Sequence, residues 1–170
     1  MKTALALLIP FGVLAEEPES LPCAPDCRGA DLAGAVLTNL NLNRVNLVDA
    51  DFTDATLNGV SLVGADLTGA TLFCTTLIDT DLTAATLIRA NLQKIDLSGK
   101  DGRPPVLIRA DLTGADLSHA NLNGADLRSA DLSYTTMESA YLGSAILTGA
   151  VMVDIRGCDD SLRLPDCYLD

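Results

Sequence analysis

A large apolar residue recurs at every fifth position through most of this chain, and that spacing excludes the common secondary structures as a whole-chain solution. The series runs from Leu32 through Leu37, Leu42, Leu47 and Phe52 to Leu97 without a slip, breaks at Gly102, and resumes in the same phase from Leu107 to Met152. An α-helix needs an apolar face at a period of 3.6 and a half-buried strand needs alternation at two, so five fits neither. Two residues before each large residue sits a small one, such as Ala30, Ala50, Ala65, Ala110 or Ala125, with Val, Thr, Leu or Ile as the usual exceptions. Asp or Asn often lies between them, as in Ala65-Asp66-Leu67 and Ala90-Asn91-Leu92, and Gly often follows the Leu by two.

If each unit forms one short side of a square coil, the Leu and the small residue point inward and three residues point outward. Four units then make a coil of twenty residues. Stacked coils pair their backbones like parallel strands, which predicts about six coils and a rod ~29 Å long at the ~4.8 Å spacing of paired strands. The axis of such a square accommodates one large side chain per side only if its neighbours are Ala-sized, because larger residues would overpack it. Gly at positions such as Gly34, Gly59, Gly64, Gly69, Gly114 and Gly124 marks the corners.

The Ala-Asp-Leu-x-x and Ala-Asn-Leu-x-x units resemble the pentapeptide-repeat family over residues 30–154. The resemblance implies an all-β, right-handed quadrilateral β-helix. Many members of that family have no assigned activity. Some resemble DNA and inhibit or protect type II topoisomerases, and exported members with cysteine-bearing ends occur in cyanobacteria and the thylakoid lumen.

The remaining segments divide the chain. Residues 1–15 read as a signal peptide, with Lys2 before a short apolar run from Ala4 to Leu14 and a small-residue cleavage site at Ala15. The run is shorter than the ~20 residues that span a bilayer, and Pro10 interrupts it. An exported location, periplasm or thylakoid lumen, follows. Residues 16–29 and 155–170 lack the repeat and are expected to cap the exposed end rungs as short helix or irregular coil. The break at residues 98–106, with Pro104 and Pro105, is expected to bulge outward as a loop without disturbing the stack.

Export makes disulfides the natural state of paired cysteines. Cys23 and Cys27 fall in the first cap, Cys158 and Cys167 in the last. Ends ~29 Å apart cannot be bridged when linked Cα atoms sit ~5.5 Å apart, so the expected pairs are Cys23 with Cys27 and Cys158 with Cys167. Cys74 is left over, outward, as a free thiol or an intermolecular link.

A formal net charge of −12 disfavours direct binding to nucleic acid or anionic lipid. Residues twenty apart stack in a square coil, which places Ile88 over Ile108 and Arg89 over Arg109, with Arg128 close by in the next coil. This basic column on an acidic rod is the candidate partner patch. Asp31 and Asp51, and Asp111 and Asp131, stack similarly, but Asp recurs on every side with no cleft, so hydrogen bonding to nearby backbone is its expected role. His119 stands alone as a surface residue. No Gly-rich phosphate loop, nucleophile beside a base, or four-ligand metal set is legible. The expected function is therefore non-catalytic, without cofactor or metal: a protein-interaction scaffold, with homodimerisation open and the partner unnamed. The alternative is a DNA-mimicking inhibitor or protector of a type II topoisomerase.

Overall fold

The computed structural model describes residues 20–98 and 104–157, and the backbone of 167–168. All regular structure there is β. Strands β1 (Val36–Thr38), β2 (Thr56–Asn58) and β3 (Thr76–Ile78) form a parallel sheet with Leu37, Leu57 and Leu77 in register. Single parallel bridges continue the same pairing around the coil, defining four sides. Side one stacks Asp26, Asn46, Asp66, Thr86, Asp111, Asp131 and Val151; side two stacks Asp31, Asp51, Thr71, Asn91, Asp116, Thr136 and Arg156. Side three extends β1–β3 to Asp96, Asn121 and Tyr141, and side four stacks Asn41, Ser61, Asp81, Val106, Asp126 and Ile146.

The backbone bonds of one unit explain its sequence. The amide of Ala35 closes the corner by donating to the Leu32 carbonyl at 3.0 Å. Asp51 donates to Ala30 in the coil before it, while Leu32 and Gly34 donate to Asp51 and Thr53 in the coil after it. That leaves one amide in five, at the residue following each Leu, without a backbone partner. The Asp or Asn two residues earlier accepts from it: the amides of Thr53, Thr68, Thr113 and Ser133 donate to Oδ1 of Asp51, Asp66, Asp111 and Asp131 at 2.9–3.0 Å. The acidic residue of the repeat is thus a local backbone partner, as its recurrence suggests. Where Ser61 takes that place, Asn43 from the preceding coil reaches across and accepts from Val63 at 2.8 Å.

Corners use left-handed backbone two residues after the Leu. Gly69 has φ +68°, and a Cβ there would lie 2.5 Å from Asp49 Oδ1. Yet Asp49, Arg89, Lys94, Arg109 and Tyr134 hold the same conformation at equivalent corners, a cost of roughly 1 kcal/mol each that the surrounding ladder imposes. Inside, Leu42, Leu67, Leu92, Leu117 and their counterparts are fully buried, with Ala50, Ala65 and Ala125 beside them. Thr75 and Thr80 occupy small-residue positions, and their hydroxyls donate to the carbonyls of Phe52 and Leu57 in the preceding coil.

The break and both ends differ from expectation. Asp81, Thr86, Asn91 and Asp96 pair with Val106, Asp111, Asp116 and Asn121, a step of twenty-five residues where the other described coils step by twenty. The break therefore adds five residues to one circuit, between Asp96 on side three and Val106 on side four. Because the unit length equals the repeat, the Leu phase survives while every coil beyond it is displaced by one side relative to a twenty-residue count. The loop is also shorter than 98–106: Val106 donates to Thr80, and Pro105 is buried in the small-residue position, where its missing amide is not needed for the ladder. At the N-terminal end, Asp26 already bridges Asn46, and Cys27 fills the axial position of a Leu, 2% exposed. At the other end, β4 (Ile155–Arg156) and β5 (Cys167–Tyr168) pair in parallel rather than forming helix or coil. Residues 1–19, 99–103 and 158–166 lie outside the described residues, and with them the signal peptide and Cys158.

Deleting residues 100–104 restores twenty-residue spacing throughout. The variant is expected to keep its β circular-dichroism spectrum and to lie within about 1 kcal/mol of the parent in chemical unfolding; loss of the cooperative transition would show that the added unit is part of the stack. Asp131→Ala should cost about 1 kcal/mol by stranding the Ser133 amide, against under about 0.5 kcal/mol for Thr86→Ala, which accepts from no such amide.

Candidate interaction surface

The twenty-five-residue coil separates the residues of the basic column. Arg89 donates its amide to Thr113 at 3.0 Å, and the Arg89 Cγ lies 3.6 Å from where a Cβ on Gly114 would stand. Ile88 and Arg89 therefore sit against Thr113 and Gly114 on side one. Ile108 and Arg109 sit on side four, above Thr83 and Ala84, since Ala84 donates to Ile108 at 2.9 Å. Neither Ile88 over Ile108 nor Arg89 over Arg109 holds. The physical reason is the extra unit: a count of twenty lands one side short.

What survives is the neighbourhood of Ile108, Arg109 and Arg128 on side four, where the Arg109 amide donates to the Arg128 carbonyl at 3.0 Å. Arg128 is also clamped: Nε and Nη2 donate to Oδ1 and Oδ2 of Asp126 at 2.8 and 2.6 Å. The two-pronged hydrogen bond from Arg128 holds the Asp126 carboxyl below the usual carboxylate range, and Arg128 is held above its own. The Arg109 guanidinium has no ion pair or side-chain hydrogen bond among the described residues.

The correct register assembles a different group on side two. Phe73 and Gln93 stack in one column with Ser118, which is buried, and Cys74, Lys94 and His119 stack in the next, since Cys74 donates to Gln93 and Lys94 to Ser118. Lys94 Nζ stands 5.2 Å from the Phe73 ring centroid, a cation–π contact. Gln93 Nε2 donates to Asp116 Oδ2 at 2.6 Å, and the Ser118 amide donates to Oδ1 at 2.9 Å. Burial works to raise the Asp116 pKa, but the hydrogen bonds from Ser118 and Gln93, with the nearby His119, outweigh it and hold the carboxyl below its ordinary value. His119 is exposed, and its amide donates to Glu138 at 2.7 Å. Cys74 is a half-buried free thiol.

This stripe replaces the Asp/Thr monotony of the repeat with an aromatic ring, an amide, an ammonium, an imidazole and a thiol on one flat face. Sequence reading missed it because Gln93 and Lys94 stand twenty-five residues, not twenty, before Ser118 and His119. Counting the residues between Leu97 and Leu107 as one surplus unit would have found it. At the N-terminal end, Cys23 and Cys27 are joined with Cα atoms 5.0 Å apart. The expected pairing of Cys158 with Cys167 falls outside the described residues.

A family model described as pentapeptide repeats matches residues 26–64, 65–99 and 107–152, in 8 copies. Among solved structures, the chain is similar to HetL, a pentapeptide repeat protein involved in heterocyst differentiation regulation from the cyanobacterium Nostoc sp. strain PCC 7120, with 34% identity over 75% of this chain and 63% of HetL, and a TM-score of 0.32. The chain thus spans less than two thirds of that relative's length. A pentapeptide repeat protein from the Arabidopsis thaliana thylakoid lumen is similar at 28% identity over 72% of this chain and 61% of its own, with a TM-score of 0.31. Full-length QnrB1, a plasmid-mediated fluoroquinolone resistance protein, is similar at 18% identity over 81% of each chain, with a TM-score of 0.41. No curated protein matches.

Replacing Gln93 with Leu removes one donor to Asp116, so its carboxyl pKa is expected to rise toward the ordinary range near 4. A carboxylate held low contributes stability that is complete above that range and is lost as the pH falls through the lowered value. Carbon NMR titration of the Asp116 carboxyl reads the shift directly; an unmoved midpoint would remove Gln93 from the network.

Proposed function

Because this chain belongs to the pentapeptide-repeat family, whose members form right-handed quadrilateral β-helices, we propose that it is a non-catalytic protein-interaction scaffold that works outside the cytoplasm. The observation that carries the reading is the side-two stripe of Phe73, Gln93, Lys94 and His119, a chemically varied strip on a rigid flat face. A rod of this kind holds its outward side chains at the fixed ~4.8 Å spacing of its rungs, so a partner that matches the columns meets a surface already ordered and loses little entropy on its account.

The repeat carboxylates support a structural rather than a chemical role for the acidic residues. Asp31, Asp51, Asp66, Asp81, Asp111 and Asp131 each direct Oδ1 to the amide two residues on. Location outside the cytoplasm rests on the leader-like residues 1–15 and on the Cys23–Cys27 bridge, which suits an oxidising compartment. The second reading, mimicry of DNA before a type II topoisomerase, draws on the rod form and the net charge of −12, and it requires a cytoplasmic protein.

Fractionation with intact-mass measurement separates the two. The scaffold reading expects a chain shortened by the leader, carrying the Cys23–Cys27 bridge and found outside the cytoplasm. Crosslinked partners should be lost when Phe73→Ala and Lys94→Ala are combined, while melting is unchanged. An uncleaved, reduced, cytoplasmic chain that slows supercoiling would overturn it in favour of the alternative.

A further inference from the structure

Asn is followed directly by Gly twice in this chain, at Asn58-Gly59 and at Asn123-Gly124. Both pairs hold the same place on side three, the Asn just after an axial Leu and the Gly at the corner. Both Gly residues are left-handed, with φ +65° and +77°. Such a pair is chemically distinct because glycine puts no side chain in the way of its own nitrogen, which can then approach the carboxamide carbon of the residue before it.

The ladder holds the first pair shut. The Asn58 carbonyl accepts from the Asn39 amide and the Gly59 amide donates to the Ile78 carbonyl, both at 2.8 Å, so the peptide unit between them is tied to the coils on either side. Asn39 Oδ1 also fills the space beside Gly59. The second pair lacks these restraints. Neither the Asn123 carbonyl nor the Gly124 amide enters a backbone hydrogen bond among the described residues. The space beside Gly124 is open, with the Ser98 carbonyl oxygen 4.0 Å from where a Cβ would stand. The Asn123 side chain is meanwhile held by its oxygen: Oδ1 accepts from the Ser144 amide in the next coil at 3.0 Å. That donor polarises the carboxamide and is placed to stabilise negative charge on the oxygen when the carbon is attacked.

We propose that Asn123 is a site of spontaneous deamidation, with water as the co-reactant, and that Asn58 is protected from the same reaction. Rotation of the unbonded peptide unit brings the Gly124 nitrogen against Cγ of Asn123. Hydroxide takes the proton of that nitrogen, the N–Cγ bond forms, and the bond from Cγ to Nδ2 breaks. The departing nitrogen takes a proton from water and leaves as ammonia, which regenerates the hydroxide. Water then opens the five-membered imide at one of its two carbonyls, giving aspartate or isoaspartate, with no change of oxidation state. Aspartate keeps an acceptor for Ser144, whereas isoaspartate routes the main chain through the former side-chain carbon and lengthens the corner between Leu122 and Ala125. Exposure alone would select the other residue, since Asn58 is exposed and Asn123 half-buried; the backbone bonds reverse that order. Loss of ammonia makes the conversion one-way, so its extent records the age of the molecule.

Peptide mass mapping of the full chain held in mildly alkaline buffer reads the reaction, because trypsin separates Asn123 in residues 110–128 from Asn58 in residues 45–89. In the folded protein Asn123 is expected to convert at least about tenfold faster than Asn58, which must first give up two backbone hydrogen bonds. The rate should rise with hydroxide, and each event should take one oxygen from labelled water. In denaturant the two sites should react alike. Asn123→Gln, whose longer side chain closes the ring poorly, should abolish the signal from residues 110–128 while the β circular-dichroism spectrum is kept. Asn58 converting as fast as Asn123 in the folded chain would overturn the proposal, as would an inert Asn123 in the folded chain when both sites react in denaturant. A mass change in residues 110–128 that persists in Asn123→Gln would overturn it too, by giving the reaction to Asn121.

Discussion

One unpartnered amide in every five residues governs this molecule. The square coil satisfies four of each unit's backbone donors through its corner bond and its two neighbouring coils, and the fifth, just after the axial Leu, faces outward with no carbonyl in reach. An Asp or Asn two residues earlier supplies the missing acceptor at Asp51, Asp66, Asp81, Asn91, Asp116 and Asn121. The chain's acidity is therefore a by-product of backbone accounting as much as a statement about its partners. It explains why carboxylates stack in register, as Asp111 does with Asp131, despite their repulsion: each is tied to its own amide first.

The architecture was readable because burial here depends on a strict period. Leu at five and a smaller residue two before it, most often Ala, fill a narrow square without voids or clashes, so the core pattern of Leu42, Leu67 or Leu117 is a direct image of the fold. The surface was less readable, since it depends on an integer the core does not record. An extra unit of five between Leu97 and Leu107 is invisible to the Leu phase but changes which residues share a column. This is why Arg89 and Arg109 were paired in sequence and lie on different sides in space, while Cys74, Lys94 and His119 form a column no twenty-residue count can show. The end at Cys27 was blurred for another reason: a thiol in an axial Leu position does not look like a hydrophobic repeat until its neighbours are placed.

Specificity in such a scaffold comes from exceptions. Most outward positions are consumed by backbone duties or are small, so the informative residues are those that do neither: the ring of Phe73 under Lys94, the Gln93 amide on Asp116, and the Arg128 fork on Asp126. Each of these contacts joins residues whose positions the rungs already hold. A mutation in one alters the face locally and leaves coils a few rungs away untouched, because each coil touches only its neighbours.

That nearest-neighbour connectivity gives the rod a mechanical polarity. At one extremity a covalent ring through Cys23 and Cys27 plugs the axis, with Cys27 seated where a Leu would be; at the other, the amides of Leu142, Leu147 and Met152 have no backbone partner among the described residues. A rung with one neighbour instead of two is the first to fray, and the ring through Cys23 and Cys27 holds the first coil against that fraying.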